Sequence, residues 1–369
     1  MLKILFVCRN FNQMAGGIER ISSLIMNEMI NRGHQVILLT WDQTDSTAHY
    51  VLDPKIKWIK LNIGEAINKA NWNIRLKRQI KIRKIIKGLK PSVAIGFQVG
   101  TFIAIRSALL GLGIPIIAAE RNSPDLFKFQ KKGERNRILS SIALLFASRI
   151  TIQFESYKEK YPFFLRSLIC TIHNPVEPPN QKALPKENKN KPKRILNVGR
   201  LSYQKNQLFL IRSFAMITIQ NPNWILTIVG EGEYRKRIES LIIQEKLQDH
   251  IELIGAVEDI DFWYENSSFL AFPSLWEGFP NVLAESFRKG LPAIGFQKTA
   301  GVNQLIKHNY NGLLVKDNEK DYALAMQQMI NNEIFRKKAG RVSLKSINRY
   351  QPNKVFNKWE NLFQELSKK

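Results

Sequence analysis

Cysteine is almost missing from this chain: Cys8 and Cys170 are the only two in 369 residues. Two thiols so far apart in sequence exclude a disulfide framework and cysteine-type metal spacing, and they fit a reducing cytoplasm. Cys8 ends an apolar run and reads as a small core residue, not a nucleophile. Long apolar runs are missing too. No stretch approaches the ~18 uninterrupted apolar residues of a spanning helix. The opening Met1-Leu-Lys-Ile-Leu-Phe-Val-Cys8 is too short for a signal peptide and reads as a first strand. Acid is in deficit: Lys and Arg number 56 against 31 Asp and Glu, giving a net charge of +25 and a pI near 10.0. Between Glu65 and Glu120 no acid occurs, while Lys69, Arg75, Lys77, Arg78, Lys81, Arg83, Lys84, Lys87, Lys90 and Arg106 fall in that window. Such an imbalance points to anionic partners: nucleic acid, acidic lipid or phosphorylated substrates.

What is present is globular. Hydrophobic residues make up 44% of the chain, and its length allows two domains with separate cores. In the first half, apolar runs Ile4–Cys8, Val36–Thr40, Val93–Ile95, Ile114–Ala119 and Ile150–Gln153 alternate with helical patterns Ile18–Asn31, Ile74–Leu89, Thr101–Leu110 and Arg135–Ser148. This alternation predicts an α/β, doubly wound parallel sheet. Residues 176–192, rich in Pro, Asn, Lys and Glu, read as a linker. A second alternation follows: strands Arg194–Val198, Trp224–Val229, Ile251–Ile254, Phe269–Phe272 and Ala293–Gly295, with helices Asn206–Ile219, Tyr234–Glu245, Asn281–Lys289 and Asp321–Met329. The expected domains are therefore 1–175 and 193–350, followed by a helix within 351–369 whose Val355, Phe356, Trp359, Leu362 and Phe363 share one face.

The most informative string is Glu277-Gly-Phe-Pro-Asn-Val-Leu-Ala-Glu285. It places two carboxylates eight positions apart across a strand-to-helix turn. Pro280 suits the first turn of that helix. Amides around Gly278, Phe279 and Asn281 would then sit at a positive helix end suited to phosphate. Carboxylates flanking an anion pocket suit a sugar nucleotide, whose hydroxyls donate and whose phosphates accept. With Gly290-Leu-Pro-Ala-Ile-Gly295 behind it, the string resembles the E-x7-E motif of GT-B glycosyltransferases of family 4, which are retaining and use nucleotide sugars. The resemblance implies two Rossmann-like domains facing a cleft, acceptor on the first, nucleotide sugar on the second, and a C-terminal helix crossing back to the first.

Gly199-Arg-Leu-Ser-Tyr-Gln-Lys-Asn206 follows a strand and brings two cations to a tight turn. It resembles the family's diphosphate loop, so Arg200 and Lys205 are expected to stabilise the leaving group. The resemblance assigns Glu277 to the sugar hydroxyls, Glu285 to the ribose, and Gly230, Glu231 and Val257 to the nucleotide. Gly16 and Gly17, opening the first helix, would lie on the acceptor side. That loop is not G-x-G-x-x-G, and Asp42 is poorly placed as a ribose acid, so a nicotinamide site is not expected. Where many relatives carry a His, this chain has Glu120-Arg121-Asn122, and His34, His49, His173, His250 and His308 lie elsewhere. Glu120 either accepts an acceptor hydroxyl or forms a structural ion pair. Asp259-Ile-Asp261 opens a helix instead of ending a strand, so no metal and no cofactor are expected.

The resulting expectation is a metal-independent hexosyltransferase working from a UDP-sugar (Gal, GalNAc or GlcNAc type). Its acceptor would be a glycan on undecaprenyl diphosphate, met from the cytoplasm at an anionic membrane surface that the basic helix Ile74–Lys90 and the stretch Phe127–Lys132 contact. Two other readings compete: an inactive relative serving as a basic scaffold, and a nucleic-acid binder resting on charge alone. Glu277 and Glu285 argue against the latter, and nucleic acid is not an expected partner.

Overall fold

In the computed structural model the described residues are 1–66, 70–131, 133–178 and 193–368. Most of the expected linker, 179–192, lies outside them, as do Lys69 and Lys132 of the basic stretches. The chain divides into two compact units, Met1–Pro175 with Asn353–Lys369, and Val176–Pro352.

The first unit holds strands β1 (Lys3–Val7), β2 (Gln35–Thr40), β3 (Lys57–Lys60), β4 (Val93–Phe97), β5 (Ile116–Ala119), β6 (Arg149–Ile152) and β7 (Ile169–Thr171). They form one sheet in the order β3-β2-β1-β4-β5-β6-β7, and every pairing is parallel. Helices α1 (Gly17–Asn31), α2 (Trp72–Leu89), α3 (Val99–Leu109) and α4 (Gly133–Leu144) make the crossovers. Leu5, Val7, Ile37 and Leu39 are buried like their alternate neighbours, as strands covered on both faces must be. The order reverses between β1 and β4, so the loops after these two strands open at a switch point, where α/β sheets bind ligands.

The second unit runs β8 (Lys193–Val198), α5 (Gln207–Thr218), β9 (Trp224–Val229), α6 (Arg235–Gln244), β10 (Ile251–Gly255), α7 (Ile260–Glu265), β11 (Phe269–Phe272), α8 (Asn281–Arg288), β12 (Ala293–Phe296), α9 (Val302–Leu305), β13 (Gly312–Val315), α10 (Glu319–Asn331) and α11 (Glu333–Ser346). Its sheet order is β10-β9-β8-β11-β12-β13, again parallel. Helix α12 (Pro352–Ser367) belongs to the first unit. Its Val355, Phe356, Trp359, Leu362 and Phe363 join the core formed by β1, β4 and α1, with the Phe363 ring edge-on to Phe6 at 6.0 Å. The expected return of the terminal helix is observed.

Three strands were not expected from sequence. β3, Lys-Trp-Ile-Lys, is an edge strand whose lysines hide its apolar content, and β7 has three residues at the opposite edge. β13 begins on a glycine after a polar turn. Edge strands are short and half-solvated, so their patterning is weak. Among the described residues no helix is long and apolar enough to cross a membrane.

Candidate active site

In the second unit the loops after β8 and β11 meet. Leu275 N–H donates to Gln204 O at 2.9 Å, and Gln204 Nε2 donates to Trp276 O at 2.7 Å. This zipper brings Lys205 Nζ to Glu277 Oε1 at 2.6 Å, although 72 residues separate them. Both side chains are largely buried, 18% and 9% exposed, and the ammonium also stands 5.3 Å over the Phe272 ring. Gln207, fully buried at the start of α5, shapes the loop by donating to Arg200 O and accepting from Ser202 N. Gln207 was not singled out from sequence, although it directly follows the loop string.

Gly199 and Gly230 let the loops after β8 and β9 touch. Gly199 N–H donates to Val229 O at 3.0 Å, and Leu201 N–H to Glu231 O at 2.9 Å. A Cβ on Gly230 would lie 2.1 Å from Gly199 O. Arg200 is placed differently from expectation. It is exposed and its guanidinium bonds Glu233 on the turn after β9 at 3.1 Å. Such a pair is worth about 0–1 kcal/mol, so the cation can exchange partners at little cost. Glu231 is exposed and paired with Arg235, and Val257 is half-buried just past β10.

Helix α8 starts at Asn281, one residue after Pro280. The Asn281 N–H already donates to Phe279 O at 2.9 Å, and Pro280 has none, which shortens the expected row of amides at the helix start. Phe279 is buried edge-on to Tyr350, centroids 5.3 Å apart, so the side chain anchors the turn while Gly278 stays half-buried. Glu285, one turn into α8, accepts from the buried Tyr264 hydroxyl at 3.1 Å. Tyr264 carries no motif and was invisible in the sequence. The Asp259-Ile-Asp261 pair caps α7: Asp259 accepts from Phe262 N–H, and Asp261 binds Arg288 and Lys289. Burial opposes ionisation of Asp261, yet these two cations hold its carboxyl below the ordinary value.

The first unit carries the remaining candidates. Gly16 precedes α1, and a Cβ there would lie 2.1 Å from Glu19 Oε2, so the Glu19 carboxylate already covers the helix start beside Gly17. Burial raises the Glu19 pKa, its own backbone N–H opposes the rise, and Asp42 adds to it. Asp42 accepts from Phe11 N–H at 2.9 Å and so ties down the loop after β1. Glu120-Arg121-Asn122 splits. Arg121 turns into the core, where it donates to Ile172 O and Thr151 Oγ1 and stands 5.1 Å over the Trp359 ring. Desolvation lowers its pKa to about 10. It therefore fastens α12 to the sheet instead of presenting a cation to a ligand. Glu120 and Asn122 line a cavity of about 280 Å³ with Gln98, Asn136 and Tyr161, among largely apolar walls such as Leu126 and Phe127. Burial raises the Glu120 carboxyl to about 7, against the pull of the Val99 N–H at the start of α3 and the Arg121 charge. Gln98, just before α3, sits at φ +68°, a costly conformation for a side-chain-bearing residue.

A pH dependence follows. With a folded pKa above the ordinary carboxyl value, Glu120 favours the fold at low pH and loses that contribution as pH rises from about 4.5 to 7. Glu120→Gln should leave thermal stability unchanged at pH 4 and raise it by about 1–3 kcal/mol at pH 8. Melting curves across that range check it; equal curves at pH 8 contradict the assignment.

The family model described as "Glycosyl transferases group 1" matches residues 180–345. The chain is 28% identical to an uncharacterized glycosyltransferase of Haemophilus influenzae, over 98% of this chain and 100% of that protein. It is 26% identical, over 99% of each, to the Campylobacter jejuni protein named "GalNAc-alpha-(1->4)-GalNAc-alpha-(1->3)-diNAcBac-PP-undecaprenol alpha-1,4-N-acetyl-D-galactosaminyltransferase". Among solved structures, sucrose-phosphate synthase from Thermosynechococcus elongatus superposes with a TM-score of 0.84 at 16% identity over 99% of both chains. The chain thus has the GT-B fold, its second unit matches the model of group 1 glycosyl transferases, and it is similar along its whole length to proteins named as glycosyltransferases.

Proposed function

We propose that the chain transfers a hexose or N-acetylhexosamine from a UDP-sugar, with retention and without a metal, to a glycan acceptor on a polyprenyl diphosphate in bacterial surface polysaccharide synthesis. The contact that carries this reading is Lys205 against Glu277. An ammonium held beside a carboxylate in a largely buried loop junction offers a cation to a diphosphate and an acceptor to sugar hydroxyls within one hydrogen bond. The lipid-linked acceptor and its site of use, the cytoplasmic face of the membrane, are supported by the Campylobacter relative, whose named acceptor is undecaprenol-linked, and by the basic first unit.

In this reading Glu285, oriented by Tyr264, binds the ribose. Glu277 fixes the sugar so that its anomeric carbon faces the acceptor. Lys205 and Arg200 meet the charge that grows on the diphosphate as the C1–O bond breaks, with Arg200 leaving Glu233 for the stronger anion. The acceptor oxygen bonds C1 on the same face, and its proton passes to the leaving phosphate oxygen. Glu120 and Asn122 receive an acceptor hydroxyl.

Hydrolysis and transfer assays with UDP-, GDP- and ADP-sugars, with and without EDTA, test the donor and the metal; NMR of the product anomer tests retention. Preference for UDP, insensitivity to EDTA and an α product from an α donor are expected. Glu285→Gln should raise KM for the donor about tenfold or more with little change in kcat, and Tyr264→Phe should move KM in the same direction by a smaller factor. A drop in kcat alone from Glu285→Gln would remove the ribose assignment.

A further inference from the structure

Helix α4 is inside out. Its buried positions are Gly133, Ser141 and Leu144, whereas Ile138, Leu139, Ile142 and the following Leu145 and Phe146 are 45–59% exposed. Spacings of one, four, seven and eight make these a single helical stripe. A soluble α/β helix turns such a stripe inward; this one buries Gly133, Ser141 and Leu144 and leaves the stripe outside. The stripe does not end with the helix. Ile138 and Ile142 border a groove of about 410 Å³ whose far wall is Pro162 and Phe164, and the neighbouring Phe163 is 81% exposed. At its other end the Phe146 ring is met by Arg106 of α3, 5.9 Å from its centroid.

Helix α3 packs between α4 and α2, and α2 repeats the theme. Beyond the arc it buries, it exposes Trp72, Leu76 and Ile80, each four residues after the last, at 77%, 53% and 63%. The same helix carries seven Lys and Arg and no acid. Apolar area rimmed by cations marks a surface that is covered in use.

We infer that the α2–α3–α4 layer of the first unit docks on an anionic bilayer, the stripes of α2 and α4 and the Phe163-Phe164 turn entering the head-group boundary while the cations of α2 meet lipid phosphates. Charge selects this occupant. A second copy joined by a twofold axis would set the same stripes together, but it would also oppose two sets of the exposed α2 cations Arg75, Lys77, Lys81, Lys84 and Lys87 without a counter-charge. A bilayer supplies apolar depth and phosphate at once. The inference goes beyond the charge-based membrane contact by naming groups that insert, and it is independent of the transfer reaction, because the probe is lipid alone.

The test is flotation of the full chain with vesicles of phosphatidylethanolamine and phosphatidylglycerol. Wild type is expected to float. The triple variant Ile138→Gln/Ile142→Gln/Phe163→Ser should bind at least about tenfold more weakly at both low and high salt. Lys77→Glu/Lys84→Glu/Lys87→Glu should weaken binding chiefly at low salt. Ile219→Gln, at a 93% exposed site in the second unit, should change nothing. Should the triple variant fold poorly, Phe163→Trp in the intact chain gives a second readout: its emission should shift to the blue and be quenched by brominated lipid. Failure of wild type to float, an unchanged triple variant or an unquenched tryptophan overturns the inference. So does a wild-type dimer that the triple variant dissolves without any vesicle binding, which would identify a second copy as the occupant.

Discussion

Glu277→Gln is expected to lower sugar transfer by about 10²–10³-fold in kcat while leaving nucleotide affinity within about tenfold. The substitution keeps shape and one hydrogen-bond acceptor, but removes the charge that holds Lys205 Nζ at 2.6 Å. Two consequences then separate. The ammonium, 18% exposed, is left without its counter-charge, which costs stability. Because water still reaches it, the loss should stay near 1–3 kcal/mol, below that for a fully buried pair. The second consequence is catalytic: a free lysine swings toward the phosphates in the ground state as readily as in the transition state, so its contribution to the barrier shrinks. A double-mutant cycle with Lys205→Met isolates the coupling, and it should exceed about 1 kcal/mol both in melting and in turnover. If transfer per folded molecule is unchanged in Glu277→Gln, the pair is only structural and the proposed chemistry has lost its centre.

How much of this was readable in advance follows the range of the interactions. The Glu277–Glu285 string and the Gly199–Asn206 loop are contiguous, and each lies at the end of a buried strand, so residue type and local geometry announce them together. The contact between Lys205 and Glu277 is not local. It depends on β8 and β11 being neighbours in the sheet, which alternation of strands and helices does not specify. The same reason hid the supporting residues: Gln207 reaches back into its own loop, Tyr264 approaches Glu285 from another helix, and Glu233 intercepts Arg200 from the turn after β9. Arg121 shows the converse. Sequence grouped it with Glu120 and Asn122 on the acceptor side, but Trp359, 238 positions later, offers it a ring, and Thr151 of β6 and Ile172 just past β7 offer it oxygens. Helix α4 was legible as a helix and not as an inverted one, because periodicity reports a stripe without saying which way it faces.

Gly230→Ala should be the most damaging single methyl in the second unit. Gly230 lies at φ +140°, and the added Cβ would stand 2.1 Å from the carbonyl oxygen of Gly199, more than 1 Å inside van der Waals contact and against backbone that cannot swing aside. Both strands are fixed by parallel neighbours, and the two loops are cross-linked by Gly199 N–H to Val229 O and Leu201 N–H to Glu231 O. The clash therefore has to be relieved by opening the loop pair, at a cost of about 3 kcal/mol or more. Function should fall further than stability. The displaced Gly199 is the residue whose own Cβ position touches the Lys205 stem at 3.3 Å, so Lys205 moves with it and donor binding should weaken by at least about tenfold in molecules that remain folded. Gly88→Ala provides the contrast. Gly88 lies in exposed α2 with nothing within 4 Å of a new Cβ, so the same methyl there should stabilise by about 0.4–1 kcal/mol. Paired melting curves and nucleotide titrations of the two variants decide the matter: equal effects at both positions would mean that the Gly199–Gly230 contact does not hold the donor loop, and Lys205 would need another support.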